Sequence, residues 1–135
     1  MLKMVVDESP AARQQAIESL ASMHDGRPAA LAAYINALLD PVPEVRLAAT
    51  RGLGQVGPKG EAAVPSLTAL FGDESPLVRQ AAAQALGQFG AASQPALPGL
   101  KRLAEDHVPQ VRAAAVDAQH RIEAGLATGG VGRSP

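Results

Sequence analysis

Apolar residues recur along this chain at steps of three and four, the spacing of one face of an α-helix. Val78, Ala81, Ala82, Ala85, Leu86 and Phe89 form one such face, and Val45, Ala48, Ala49, Leu53 and Val56 form another. Each run is followed by a glycine, Gly57 or Gly90, of the kind that ends a helix in a left-handed cap. Each also begins just after a proline, Pro43 or Pro76, and proline suits the first helical position because its missing N–H would be unpaired there anyway. Ser9 and Ser75 precede their prolines and are placed to cap the helix start. The pattern predicts a helix A of about four turns. A second stripe follows each one: Leu31, Tyr34 and Leu38; Val64, Leu67 and Phe71; Leu97, Leu100 and Ala104. Pro28, Pro65, Pro95 and Pro98 sit near its starts, which predicts a helix B after a short turn.

The two stripes alternate with a fixed period of 33 residues. Asp7, Asp40, Asp73 and Asp106 keep it, as do Pro10, Pro43, Pro76 and Pro109, Arg13, Arg46, Arg79 and Arg112, and Ala16, Ala49, Ala82 and Ala115. A helical hairpin cannot bury both of its apolar faces alone, so a sequence built from four such units predicts a stack in which neighbours cover one another. The first unit is the weakest copy, with Ala12 where the others carry Val45, Val78 and Val111. Residues 1–6 align with the closing half of a helix B, so the chain reads as beginning in mid-repeat. In the fourth unit Gln119 replaces Leu20, Leu53 and Leu86, and no helix B follows, as suits a capping unit. The glycine-rich residues 125–135 read as a flexible tail, leaving residues 1–124 as the repeat domain.

The pattern Asp-x-x-Pro-x-Val-Arg-x-x-Ala-Ala followed by Leu-Gly-x-[Val/Phe]-Gly stands at Asp40 to Gly57 and again at Asp73 to Gly90. It resembles the HEAT-like repeats of phycobilisome lyases, and the resemblance extends from Asp7 to about Ile122. It implies an all-α fold, a right-handed α–α superhelix of about three and a half to four hairpins. It also implies a ladder in which Asp7, Asp40, Asp73 and Asp106 and Arg13, Arg46, Arg79 and Arg112 bridge neighbouring units. An aspartate at a helix entrance is favoured in any case by the helix dipole and the free N–H groups there. HEAT-like solenoids bind partners on a concave side lined by helix B. That points to Ile35, Asn36, Thr68, Lys101 and Arg102, positions that vary between units on a constant frame.

Composition narrows the function. Apolar residues are 47% of the chain, yet aromatics are only 2%, so the core must come from Ala, Leu and Val at close helix–helix distances. The net charge of −1 and the lack of stacking rings argue against nucleic acid. There is no cysteine to supply a thiolate, and His24, His107 and His120 show no metal-ligand spacing, so no metal or other cofactor is expected. Gly52, Gly54 and Gly57 match a G-x-G-x-x-G spacing, but they close a helix instead of opening one after a strand, the wrong polarity for a phosphate cradle. No serine lies in a nucleophile elbow. The apolar stretch from Ala29 to Leu39 is about half a membrane span, so a soluble, by default cytoplasmic, protein is expected.

These readings point to a protein-interaction or scaffolding module, not an enzyme, with a protein or peptide as partner and no membrane. The alternatives are an accessory fragment of a phycobilin-lyase-like enzyme and a structural domain packed within a larger protein. Self-association through the open first unit is a further expectation.

Overall fold

A computed structural model describes residues 9–23 and 26–133, with side chains described as far as residue 128. Asp7, His24 and the expected helix remnant at residues 1–6 lie outside the described residues. The order is α1 (Pro10–Ser22), α2 (Pro28–Ala37), α3 (Pro43–Val56), a 3-10 stretch (Gly57–Ala63), α4 (Val64–Ala69), a 3-10 turn (Leu70–Gly72), α5 (Pro76–Phe89), a 3-10 stretch (Gly90–Ala96), α6 (Leu97–Leu103) and α7 (Pro109–Arg133). No strand occurs among the described residues. Helices α1, α3, α5 and α7 are the four copies of helix A and stack side by side, α1 on α3, α3 on α5 and α5 on α7. Helices α2, α4 and α6 form the second layer. Each hairpin closes on itself and then on its successor, as a solenoid requires.

The local signals act where the sequence places them. Ser9 Oγ accepts from the Ala12 amide at 3.3 Å and Ser75 Oγ from the Val78 amide at 3.4 Å. Gly57 and Gly90 end α3 and α5 with φ of 73° and 62°, backbone that an L side chain rarely adopts. The 3-10 stretches that follow shorten α4 and α6 to 6 and 7 residues.

The core is one continuous row of small and aliphatic side chains, with Ile17, Leu38, Leu53, Leu67, Leu86, Leu100 and Ile122 fully buried. The chain's three aromatic rings each rest on a glycine. A Cβ added to Gly52 would lie 2.6 Å from the Tyr34 ring, one on Gly60 3.0 Å from Phe89, and one on Gly99 3.0 Å from Phe71. The helices of the first layer touch through glycine–alanine pairs. A Cβ on Gly54 would stand 3.3 Å from the Ala85 backbone, one on Gly87 3.3 Å from the Ala118 backbone, and one on Gly52 3.3 Å from the Ala21 side chain. Backbones this close recover by dispersion what large side chains would otherwise supply.

One expectation is corrected. The flexible tail was expected from Gly125, but α7 runs to Arg133, a helix of 25 residues. The glycine that stops α3 and α5 is replaced at the matching position by Glu123, so the helix does not turn. Gly125 instead lets α7 approach the 3-10 stretch, since a Cβ there would fall 2.9 Å from the Ala91 nitrogen. Leu126 packs against the core one residue later. Among the described residues, then, the stack is three hairpins and a final long helix.

Candidate protein-interaction surface

The polar columns sit at the junctions between units. Arg13 Nε donates to Asp40 Oδ2 at 2.6 Å and its Nη2 to Oδ1 at 3.0 Å. Arg46 grips Asp73 in the same way at 2.7 and 3.0 Å, and Arg79 grips Asp106 at 2.9 and 3.2 Å. Each is a fork-on-fork contact, the strong form of the arginine–carboxylate bond. The remaining Nη1 turns back to the chain's own unit, Arg46 to the Asp40 carbonyl at 2.8 Å and Arg79 to the Asp73 carbonyl at 2.7 Å. Arg112 makes the same bond to the Asp106 carbonyl at 2.8 Å but, contrary to the expected ladder, bridges to no neighbouring unit among the described residues, because no described carboxylate stands beyond α7. Each carboxylate also accepts an amide two residues on, from Val42, Ser75 or Val108, at 2.9 Å. One aspartate thus ties the previous unit's arginine to the turn that starts its own helix A.

Burial works to raise the Asp40 carboxyl, but the hydrogen bond from Arg13 and the Val42 amide outweigh it and hold it below the ordinary carboxylate range. Asp106 is lowered by the same balance, with Arg79 and the Val108 amide against burial. The bond to Asp40 outweighs desolvation in raising Arg13. These groups hold the stack together, and their charges are spent internally.

The second layer presents the row the sequence singled out, in part. Asn36, Lys101 and Arg102 are exposed. Ile35 is half-buried against the core, and Thr68 is half-buried with its hydroxyl donating to the Val64 carbonyl at 2.7 Å. The neighbouring row turns inward, with Ala33 and Gly99 buried. Between α4 and α6 lies an open concavity of about 360 Å³ floored by Phe71 and Gly99 and rimmed by Thr68, Arg102 and Glu105. Lys101 and Arg102 occupy the last turn of α6, where cations complement the helix dipole.

The first layer has two concavities that sequence reasoning missed. One, about 300 Å³, lies between α1 and α3 beside Gln14, Glu18, Glu44, Arg51 and Gln55; the other, about 360 Å³, lies between α3 and α5 beside Gln55, Gln84 and Gln88. Their floors are the small side chains of the helix junctions, so only the Gly/Ala pairing could have signalled them. No group of three or more His, Cys, Asp or Glu residues that could hold a metal ion occurs among the described residues. No described helix is long and apolar enough to cross a membrane.

Comparison with solved structures places this architecture. An engineered protein is 20% identical with a TM-score of 0.74, covering 92% of this chain and 61% of its own. A designed armadillo repeat protein in complex with the peptide (KR)4 is 20% identical with a TM-score of 0.77, covering 90% and 62%. The chain thus spans about three fifths of the length of these two, and the likeness to them shows the fold, a right-handed α–α superhelix. The complex of CpcE and CpcF of phycocyanin lyase from Nostoc sp. PCC7120 contains a chain 31% identical with a TM-score of 0.75, covering 87% of this chain and 77% of that one. None of the curated protein sequences matches. The family model for HEAT repeats matches residues 31–119. With its 33-residue hairpins and its arginine–aspartate junctions, the chain belongs to the HEAT repeat family, in the HEAT-like form shared with phycobilisome lyases.

Proposed function

We propose that the chain is a protein-interaction module, without chemistry of its own, that seats a protein or peptide on the row of side chains carried by α2, α4 and α6. The observation that supports this reading is the concavity between α4 and α6. It opens onto that row, its floor is apolar at Phe71, and Arg102 and Glu105 stand on its rim as exposed, opposite charges. An apolar floor at a half-buried ring with charged groups around it is compatible with a recognition patch, whose centre is apolar and whose rim is polar. The frame beneath it is fixed by the junction bonds, so ordering costs on binding are small. That the designed armadillo neighbour is in complex with a peptide is compatible with the reading.

The test is site-specific photocrosslinking in extracts of the source cells. A crosslinker at Asn36 or Lys101 is expected to yield one discrete protein adduct, and one at Gln84 or Gln88 on the other layer to yield none. Adducts from the first layer alone, or none from either, would overturn the assignment.

The 31% identity to a chain of the phycocyanin lyase complex favours a second reading, a subunit that acts by pairing with another chain in a lyase-type assembly. With no cysteine and three aromatic rings, all set on glycines, the chain offers little to grip a tetrapyrrole unaided. A bilin absorbance shift that appears only when this chain is mixed with a second lyase-type subunit, and not with either chain alone, would favour this reading over the first.

A further inference from the structure

The outer stripe of α7 repeats the surface by which each earlier helix A receives the next unit. On α3 that stripe carries Arg46, Leu47, Thr50, Arg51 and Gly54; on α5 it carries Arg79, Gln80, Ala83, Gln84 and Gly87; on α7 it carries Arg112, Ala113, Val116, Asp117 and His120. The column Ile17, Thr50 and Ala83 is 0% exposed, whereas Val116, its next member, is 39% exposed. Arg46 and Arg79 are buried beneath their carboxylates, and Arg112 is exposed. Its guanidinium is nevertheless tethered as theirs are, through Nη1 to the carbonyl of its own unit's aspartate at 2.8 Å. Nε and Nη2, the two nitrogens that Arg46 and Arg79 use for their forks, are thus left on an exposed side chain. No described carboxylate meets them. Beside Arg112, the residues Pro109, Ala113, Val116, Asp117 and His120 surround a shallow concavity of about 650 Å³.

We propose that this face is a second docking surface, apart from the row on α2, α4 and α6, and that it receives an acidic helix start from a partner protein. The three occupied junctions of this chain define what fits. An aspartate at the entrance of the partner helix would lie in the Arg112 fork. The helix behind it would cover Val116. Twelve residues after each internal aspartate comes the small residue that touches the preceding helix: Gly52 after Asp40, Ala85 after Asp73, Ala118 after Asp106. Those residues meet Ala21, Gly54 and Gly87 respectively, so every internal contact contains one glycine. On α7 the matching position is His120, which is bulkier than any of them. The partner must therefore bring the glycine. Of the chain's own helix starts, Asp40 with Gly52 satisfies both conditions. A second copy docking through its first unit would bring Ser19 to that place.

The test uses the full chain with 15N-labelled arginine and a synthetic peptide of residues 40–56, Asp40 to Val56. The peptide is expected to shift the Nε–Hε resonance of Arg112. The Asp40→Asn and Gly52→Val peptides, and the Arg112→Lys chain with the original peptide, are each expected to bind at least about tenfold more weakly, since lysine keeps the charge but not the fork. Arg112 is exposed, so the Lys variant keeps its fold, which circular dichroism checks. Absence of any Arg112 shift at millimolar peptide, or equal binding by the Asn peptide, would overturn the proposal. So would concentration-dependent self-association that disappears in the Lys variant, which would make a second copy the occupant.

Discussion

Arg46 and Asp73 lie 27 residues apart in sequence and meet in a two-bond fork, Nε to Oδ2 at 2.7 Å and Nη2 to Oδ1 at 3.0 Å, with only 10% and 7% of their side chains exposed. Removing one partner of such a pair strands the other charge. The Asp73→Ala variant is therefore expected to lose roughly 3–5 kcal/mol of stability. The double variant Arg46→Met/Asp73→Leu is expected to recover most of it, because a well-packed apolar pair avoids the desolvation cost altogether. Urea denaturation of the two variants beside the parent chain measures both. A double variant no more stable than Asp73→Ala would mean that the Nη1 tether to the Asp40 carbonyl, not the ion pair, carries the junction.

Acid should weaken the same junctions. Asp40 and Asp106 have folded-state values below the ordinary carboxylate value, which the unfolded chain is expected to show near ~3.9. A carboxyl lowered on folding stabilises the folded form fully above its unfolded value, and that contribution is lost as pH falls through the folded value. The urea midpoint is expected to be flat from neutrality down to about pH 5 and to fall steeply below about pH 4. Asp40→Asn should start lower at neutral pH and show a shallower acid slope. An unchanged slope would place the acid sensitivity elsewhere.

How much of this could be read before any coordinates follows from where the period holds. The Asp and Arg columns recur in register, so their pairing across a junction is legible once the hairpins are known to stack. The helix ends at Gly57 and Gly90 are legible for the same reason. The course of α7 is not, because Gly125 looks like a helix breaker until Ala91 is seen beside it. What decides the matter is the Glu123 that takes the stopping glycine's place. The candidate row on the second layer was half legible. Spacing places Asn36, Lys101 and Arg102 outside, but only packing shows that Thr68 spends its hydroxyl on Val64 and that Ile35 leans on the core. The glycine–alanine contacts join positions 31 residues apart, an offset from the repeat that no single column displays.

The glycines at the hairpin corners separate a backbone effect from a packing effect. A Cβ at Gly57 or Gly90 would touch nothing within 4 Å, yet φ there is 73° and 62°, with ψ of −150° and −133°. Gly57→Ala and Gly90→Ala should each cost on the order of 1–3 kcal/mol from backbone strain alone. Gly52→Ala keeps the backbone comfortable but drives a Cβ to 2.6 Å from the Tyr34 ring, so overpacking should cost about 1–3 kcal/mol by another route. Shortening the ring distinguishes them. In a Tyr34→Leu background the Gly52 penalty should shrink while the Gly57 penalty stays, a difference that a double-mutant cycle in urea reads directly.

The last helix offers the sharpest check on the corrected boundary. If α7 continues because Glu123 does not turn and Gly125 clears Ala91, then Gly125→Leu should force the helix away from the 3-10 stretch at Gly90–Ala96. The added Cβ would begin 2.9 Å from the Ala91 nitrogen, and backbone cannot yield as a flexible side chain can. The expected cost is about 1–3 kcal/mol. Its reach should be local, because a stack of this kind couples each unit only to its neighbours. Amide hydrogen exchange should accelerate around Ala91 and from about Ile122 onward and remain unchanged in α1 and α3. Unchanged exchange on both sides of the Gly125–Ala91 contact would show that α7 does not lean on the third hairpin there. The alternative is then that Gly125 interrupts the helix as its residue type suggests.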